Sequence, residues 1–141
     1  MLDALRKLFG GQAKTAAPRP LPPPSPEPDE EEVHVPEMSV AELRAALDSA
    51  NGPLILDVRE PYEWAQVHLP ADQGIEVMHI PMNSVPERLA ELPRERAIAV
   101  MCAHGNRSYG VTHYLREQGF AAHNLTGGIT RWAQSGGATT R

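Results

Sequence analysis

One short loop concentrates the side chains that could do chemistry in this sequence. The chain has a single cysteine, Cys102, and the six residues after it read Ala-His-Gly-Asn-Arg-Ser. A compact apolar run from Ala97 to Met101 precedes the cysteine, and a helical pattern begins at Asn106. A lone cysteine cannot form an internal disulfide, so beside groups that bind an electrophile it is a candidate nucleophile.

The place of Cys102 between a strand and a helix predicts a thiolate. The free amides and dipole of a helix N-terminus favour an anion, and a tight loop containing Gly105 can turn its amides inward. Arg107 adds a permanent positive charge. All three lower the pKa of a thiol, and the thiolate is the reactive form. The alternative is an inert, buried cysteine, but the glycine, the arginine and the loop position together favour the reactive one.

Alternating strand and helix patterns from Val33 onward predict an α/β fold. Strands are predicted at Val33–Val35, Leu54–Val58, Ala97–Met101 and Ala122–Leu125. Helices are predicted at Val40–Ala50, Pro61–Gln66, Val85–Leu92 and Asn106–Gln118, with a short last helix through Trp132. Such alternation implies a central parallel sheet with right-handed crossovers and helices on both faces. Ligands of these sheets bind beyond the carboxyl ends of the strands, where Cys102 and Asp57–Glu60 are expected.

The chain resembles the single-domain rhodaneses, a family of sulfurtransferases. The resemblance covers about Val33 to Gly137 and rests on motifs in the family's order. They are Leu-Asp-Val-Arg-Glu at Leu56–Glu60, Glu63 with His68-Leu69-Pro70, Ile80-Pro81, Cys-x-x-Gly-x-Arg-Ser at Cys102–Ser108, and Leu125-x-Gly-Gly-Ile with Trp132. It implies a rhodanese-like three-layer fold. It also implies that Cys102 takes a sulfane sulfur from a donor such as thiosulfate and passes it to cyanide or a thiol.

Candidate roles for the site residues follow from the loop and from the resemblance. Cys102 is the expected catalytic residue. Substrate binding is assigned to the loop residues Ala103, His104, Gly105, Asn106, Arg107 and Ser108. Arg107 is expected to orient the sulfonate end of the donor or to brace the loop, and His104 to influence proton balance or to have no role. The resemblance makes Asp57, Arg59 and Glu63 mainly structural, with Glu63 as a candidate partner of Arg59.

The length of the cysteine loop separates two reaction classes. Related domains with phosphatase or arsenate-reductase activity resemble this chain but have five residues between cysteine and arginine, whereas four lie between Cys102 and Arg107. A shorter loop suits one added sulfur atom better than a phosphoryl group. The chain departs from the family at Val67, where a glycine is frequent. It departs again at Ala71–His79, which makes the interval between His68 and Ile80-Pro81 longer than is usual in the family. These residues are expected to bulge near the site rim, which leaves the acceptor specificity open.

Composition argues against several other functions. The formal net charge is −5 and no basic run is present, so nucleic-acid binding is not expected. The six histidines are dispersed, which predicts no metal site and no cofactor. Neither a signal peptide nor a membrane span is evident in the sequence, so a cytoplasmic protein without membrane association is expected.

The first third of the chain differs from the rest. Residues 1–10 place Leu2, Leu5, Leu8 and Phe9 at helical spacing, and residues 11–32 form a proline-rich, acidic stretch predicted to be a disordered linker. Residues 33–137 form the predicted domain and 138–141 a tail. The first segment could dock on a partner, on the domain or on a membrane interface, or it could be a frayed end. This leaves a second hypothesis open, a persulfide relay that delivers sulfur to a protein partner.

Overall fold

A computed structural model describes residues 34–72 and 74–141, and within them five strands form one sheet. The strands are β1 (Glu37–Met38), β2 (Leu54–Asp57), β3 (Val77–His79), β4 (Ile98–Met101) and β5 (Ala122–Leu125). The α-helices are α1 (Val40–Leu47), α2 (Pro61–Gln66), α3 (Asn106–Glu117) and α4 (Gly128–Gln134). The predicted segments 1–10 and 11–32 lie outside the described residues.

The sheet is parallel throughout, with strand order β1-β5-β4-β2-β3. The central strand β4 lies between β2 and β5, and Cys102 follows its last residue. Asp57, the last residue of β2, is in register with Met101. The predicted convergence of Asp57 and Cys102 at one edge of the sheet is therefore correct.

Side-chain alternation along β2 and β4 divides the core between the two faces of the sheet. Leu56 and Val100 belong to a buried cluster that includes Leu115 of α3. Ile55, adjacent to Leu56 in sequence, belongs to the opposite cluster with Trp132 of α4. Successive residues of a strand point to opposite faces, so a continuous apolar run serves a strand that is covered on both sides. The predicted α/β fold with helices on both faces is confirmed.

Helix α1 begins where the sequence predicts and ends earlier. The Ser39 hydroxyl accepts from the Glu42 amide at 3.0 Å, and the Glu42 carboxylate accepts from the Ser39 amide at 2.8 Å. This reciprocal pair is a capping box, which satisfies two otherwise unpaired donors. The helix ends at Leu47, so the predicted end at Ala50 is wrong.

Two short strands differ from the prediction, and both lie at sheet edges. The predicted strand Val33–Val35 begins outside the described residues, and its described part, residues 34 and 35, is not a strand. Val35 is buried, but pairing with β5 begins only at Glu37, in β1. Strand β3 was expected to be part of an irregular, bulging stretch. It is only three residues long and pairs with β2 alone. Runs this short carry too little periodicity to be recognised from sequence.

The helix predicted at Val85–Leu92 is wrong in type. Two 3₁₀ segments, Met82–Ser84 and Pro86–Glu91, occupy this region, and Arg88 inside the second has non-helical dihedral angles. The non-helical Arg88 interrupts the run between Pro86 and Pro93, and short runs of this kind commonly close as 3₁₀ turns.

The end of the chain is attached to the domain. The Thr140 amide donates to the His68 carbonyl at 2.7 Å, and the His68 amide donates back at 2.9 Å. The Trp132 indole donates to the carbonyl of Ala138 at 2.8 Å. These contacts tie residues of the predicted tail 138–141 to the core. Among the described helices, none has the length and apolarity that a membrane span requires.

Candidate active site

Three hydrogen-bond donors converge on the sulfur of Cys102. The Gly105 amide donates to Sγ at 3.1 Å, the Ser108 amide at 3.4 Å and the Ser108 hydroxyl at 3.3 Å. Cys102 is only 1% exposed and Ser108 is fully buried. The cysteine therefore combines a nearly buried position with a set of donors directed at its sulfur, which an inert core cysteine would not need.

These donors set the protonation state of the thiol. Burial by itself raises the pKa of Cys102, because it disfavours the charged form. The Ser108 hydroxyl and the amides of Ser108, Gly105 and His104 act in the opposite direction and hold the pKa below its usual value. The predicted lowering of the pKa is present. The groups that cause it are neutral peptide and hydroxyl donors.

The backbone of the loop depends on Gly105. Its φ is +104°, in the left-handed region that L side chains rarely adopt. A Cβ at this position would lie 3.2 Å from the Gly127 amide nitrogen. Both restrictions favour glycine at the residue whose amide binds the sulfur.

The start of α4 holds the first residues of the loop in place. The Ile129 amide donates to the Cys102 carbonyl at 2.9 Å, and the Thr130 amide donates to the Ala103 carbonyl at 3.1 Å. These two helix-terminal amides would otherwise lack partners within the helix. A Cβ on Gly128 would lie 2.3 Å from the Cys102 carbonyl oxygen, so only glycine allows this approach.

Arg107 contacts α2. Its Nη1 and Nη2 donate to the two carboxylate oxygens of Glu63 at 2.8 and 2.9 Å. This bidentate pair lowers the pKa of Glu63 to about 2, although burial opposes the shift, and it raises the pKa of Arg107. Glu63 was predicted to pair with Arg59, and that prediction is wrong. Arg59 reaches only the backbone carbonyl of Glu63, at 3.3 Å.

Asp57 and Arg59 form a separate buried pair. The Arg59 Nε and Nη2 donate to the Asp57 carboxylate at 2.9 and 2.7 Å, and both residues are 2% exposed or less. Nη2 also donates to the Val67 carbonyl at 2.8 Å. The guanidinium therefore ties the end of β2 to the end of α2, the helix that carries Glu63.

Comparison with known proteins identifies the family of this chain. Residues 39–135 match the family model of the rhodanese-like domain. The chain belongs to the rhodanese-like family. A sulfurtransferase of Allochromatium vinosum is 35% identical over 103 residues, which span 72% of this chain and 92% of that protein. A putative sulfur carrier protein of Bacillus subtilis, YrkF, is 33% identical over 99 residues, which span 70% of this chain and 51% of that protein. The crystal structure of a rhodanese-related protein from Thermoplasma volcanium superposes with a TM-score of 0.64 and 28% identity, covering 74% of this chain and 97% of that one.

The remaining loop residues of the rhodanese-like domain lie at its surface. His104 and Asn106 are exposed and Ala103 is half-buried. An open groove of about 420 Å³ passes the loop and is lined in part by His104, Gly105, Asn106 and Tyr109. Within residues 34–72 and 74–141, no three His, Cys, Asp or Glu side chains lie close enough together to hold a metal ion.

Asn124 is a site residue that the sequence analysis missed. This residue of β5 is 3% exposed, and its Oδ1 accepts from the Ser108 hydroxyl at 2.5 Å. Its Nδ2 donates to the Gly105 carbonyl at 3.1 Å and to the carboxylate of Glu37 at 3.2 Å. An asparagine beside Leu125 in a predicted strand was the available signal, because a buried amide requires partners.

The Glu63–Arg107 pair predicts a specific pH dependence of stability. Because the folded pKa of Glu63 is depressed to about 2, its stabilising contribution is present above its unfolded pKa of about 4.3 and is lost as pH falls toward 2. We expect Glu63→Gln to reduce the free energy of unfolding by about 1–2 kcal/mol at pH 6, a value that allows for solvent screening of the half-buried arginine. In urea unfolding, the difference from wild type should be clearly smaller at pH 2.5 than at pH 6. It should nearly vanish only when the pH falls below the folded pKa of about 2.

The matched control is Glu91→Gln, which removes the carboxylate from an exposed pair with Arg88. Surface pairs contribute little, so this variant should remain close to wild type at both pH values. An equal loss in the two variants would contradict a special contribution from Glu63.

The close approach of Gly128 to the loop predicts that Gly128→Ala is destabilising. The added methyl group would overlap the Cys102 carbonyl, so either α4 or the loop must move, at a cost of about 1–3 kcal/mol. Displacement of the loop should also raise the pKa of the thiol. Gly110→Ala, on α3, is the control. A Cβ added at Gly110 would meet no atom within 4 Å beyond its own helix backbone, and alanine favours a helix. Thermal unfolding and thiol titration test both, and equal behaviour of the two variants would rule out the clash.

Proposed function

We propose that this rhodanese-like protein is a sulfurtransferase in which Cys102 carries the transferred sulfur as a persulfide. The single observation that supports the proposal most is the convergence of three donors on a nearly buried sulfur. A relative named as a sulfurtransferase, matched over nearly its whole length, also supports sulfur transfer.

The proposed reaction is a double displacement with thiosulfate as donor. The Cys102 thiolate attacks the outer sulfur, a new S–S bond forms, and the S–S bond of thiosulfate breaks with its electron pair leaving on sulfite. Cyanide or a thiolate then attacks the outer sulfur of the persulfide, and the Cys102 thiolate leaves. Splitting transfer into two displacements is covalent catalysis, for which ping-pong kinetics are expected.

The loop donors have a distinct task in each half of this reaction. They first stabilise the attacking thiolate, and the same donors stabilise it again as the leaving group. In between, the negative charge lies on the outer sulfur, about 2 Å beyond Sγ. The negative charge is thereby moved away from Sγ of Cys102, a residue that is only 1% exposed. It lies instead on the outer sulfur, the atom that an acceptor attacks.

Arg107 is proposed to brace the loop. Both of its terminal nitrogens are bonded to Glu63, which limits direct contact with the sulfonate of a donor. Its positive charge still acts on Cys102 through space, and it favours the approach of an anion. Asp57 and Arg59 are proposed to position α2, and thereby Glu63.

Persulfide formation is tested by intact mass after incubation with thiosulfate. The full chain should gain the mass of one sulfur atom, and Cys102→Ser should gain none, because serine cannot form the S–S bond. Treatment of the loaded protein with cyanide should remove the adduct and release thiocyanate. An adduct on Cys102→Ser, or no adduct on wild type, would contradict the proposal.

A persulfide carrier is the second candidate, and it is favoured by the sulfur-carrier name of the Bacillus subtilis relative. An enzyme and a carrier differ in rates. For an enzyme, we expect the rate constant for loading by thiosulfate, measured by rapid quench and mass, to be of the same order as kcat for thiocyanate formation under saturating cyanide. Rapid loading with turnover at least a hundredfold slower would favour the carrier, whose acceptor would then be a protein thiol.

A further inference from the structure

Asn124 and Cys102 share one hydroxyl group. The Ser108 Oγ lies 2.5 Å from Asn124 Oδ1 and 3.3 Å from Cys102 Sγ. A serine hydroxyl has a single proton to donate. It can therefore satisfy only one of these two acceptors at a time.

The neighbours of Asn124 fix which end of its amide faces Ser108. Its second polar atom contacts the Gly105 carbonyl and both carboxylate oxygens of Glu37, at 3.1 to 3.3 Å. All of these atoms are acceptors, so the amide nitrogen must face them. The amide oxygen consequently faces Ser108 and accepts its proton.

We propose that Asn124 is a positioning residue that competes with Cys102 for the Ser108 proton and thereby adjusts the basicity of the sulfur during transfer. When Cys102 is a neutral thiol, the Ser108 hydroxyl donates its proton to Asn124 through the short hydrogen bond. When Cys102 is a thiolate, the Ser108 hydroxyl donates to the charged sulfur. Asn124 then loses its hydrogen-bond donor. Each ionisation of Cys102 therefore breaks a buried hydrogen bond of Asn124, and this loss reduces the stabilisation that Ser108 can give the thiolate.

The competition has a consequence for the proposed function, on which this inference rests. Once a persulfide forms, the negative charge leaves Sγ for the outer sulfur, and the Ser108 proton can return to Asn124. Because Asn124 competes for the Ser108 proton, it favours the transfer of negative charge from Sγ to the outer sulfur. It also keeps the thiolate more basic, and a more basic thiolate is a better nucleophile.

The other charged and titratable groups around the sulfur come from several elements. They are Arg107 on α3, Glu63 on α2, His104 in the loop, the Asp57–Arg59 pair at the end of β2 and Glu37 on β1. Glu37 loses its hydrogen bonds from Asn124 in Asn124→Leu, but it loses them in both backgrounds, so this contribution and those of the other groups cancel in a double-mutant comparison.

The test is a double-mutant cycle read out as the pKa of Cys102. The variants are Ser108→Ala, Asn124→Leu and the double variant, with thiolate followed by its ultraviolet absorbance and by the pH dependence of alkylation. We expect Ser108→Ala to raise the pKa by about one unit and Asn124→Leu to lower it by a similar amount. In the Ser108→Ala background, Asn124→Leu should change nothing, because no shared proton remains.

Thr126→Val is the matched control. The Thr126 hydroxyl donates to Glu37 at 2.7 Å and has no contact with Ser108, so this variant should keep the wild-type pKa. Circular dichroism and the midpoint of thermal unfolding check that each variant is folded. Should Asn124→Leu not fold, Asn124→Val takes its place in the cycle, since a β-branched residue suits a strand.

Two results would overturn the inference. A shift caused by Asn124→Leu that is equal in both backgrounds would mean that the residue acts through the Gly105 carbonyl and not through the hydroxyl. An unchanged pKa in Ser108→Ala would mean that the hydroxyl does not bind the thiolate. The titration needs no sulfur donor, so failure of this inference is distinct from failure to form a persulfide.

Discussion

The site depends on the hydrogen bonds that three donors direct at a nearly buried sulfur. Burial disfavours the thiolate, and β4 is a central strand that pairs with β2 on one side and β5 on the other. The stabilising donors must therefore come from the residues that follow, within one tight loop. Gly105 at φ +104° and the first turn of α3 supply them. The identity of the loop residues follows from this requirement.

A loop of this kind holds its geometry only if its surroundings hold it. Helix α4 donates two amides to its carbonyls, α2 presents Glu63 to Arg107, and Asn124 of β5 binds the Gly105 carbonyl. Each contact comes from a different element, so the sulfur site is assembled from several parts of the chain. The buried Asp57–Arg59 pair supports the loop indirectly, through α2. Its own contribution to stability can be small, but it fixes the helix that carries Glu63.

The elements that could be predicted from sequence are those with strong local signals. The Ser39–Glu42 capping box located the start of α1, and the apolar runs located β2 and β4 because central strands are buried on both faces. The edge strand β3 and the 3₁₀ segments have only a few residues each. Their conformations depend on contacts with residues that are distant in the sequence, such as those of β2 for β3. The partner of Glu63 was missed for a similar reason. Arg59 is closer in sequence, but its guanidinium is already occupied by Asp57, a fact of three-dimensional packing.

The choice of neutral donors over a charged one has a chemical logic. An arginine directly bonded to Sγ would lower the thiol pKa strongly, yet nucleophilicity falls as thiol pKa falls. Arg107 is instead bonded to Glu63, so it acts on the sulfur through space and not through a hydrogen bond. Amides and a hydroxyl give a buried thiolate moderate stabilisation. In the proposed reaction Sγ is first the nucleophile and later the leaving group, and moderate stabilisation suits both roles.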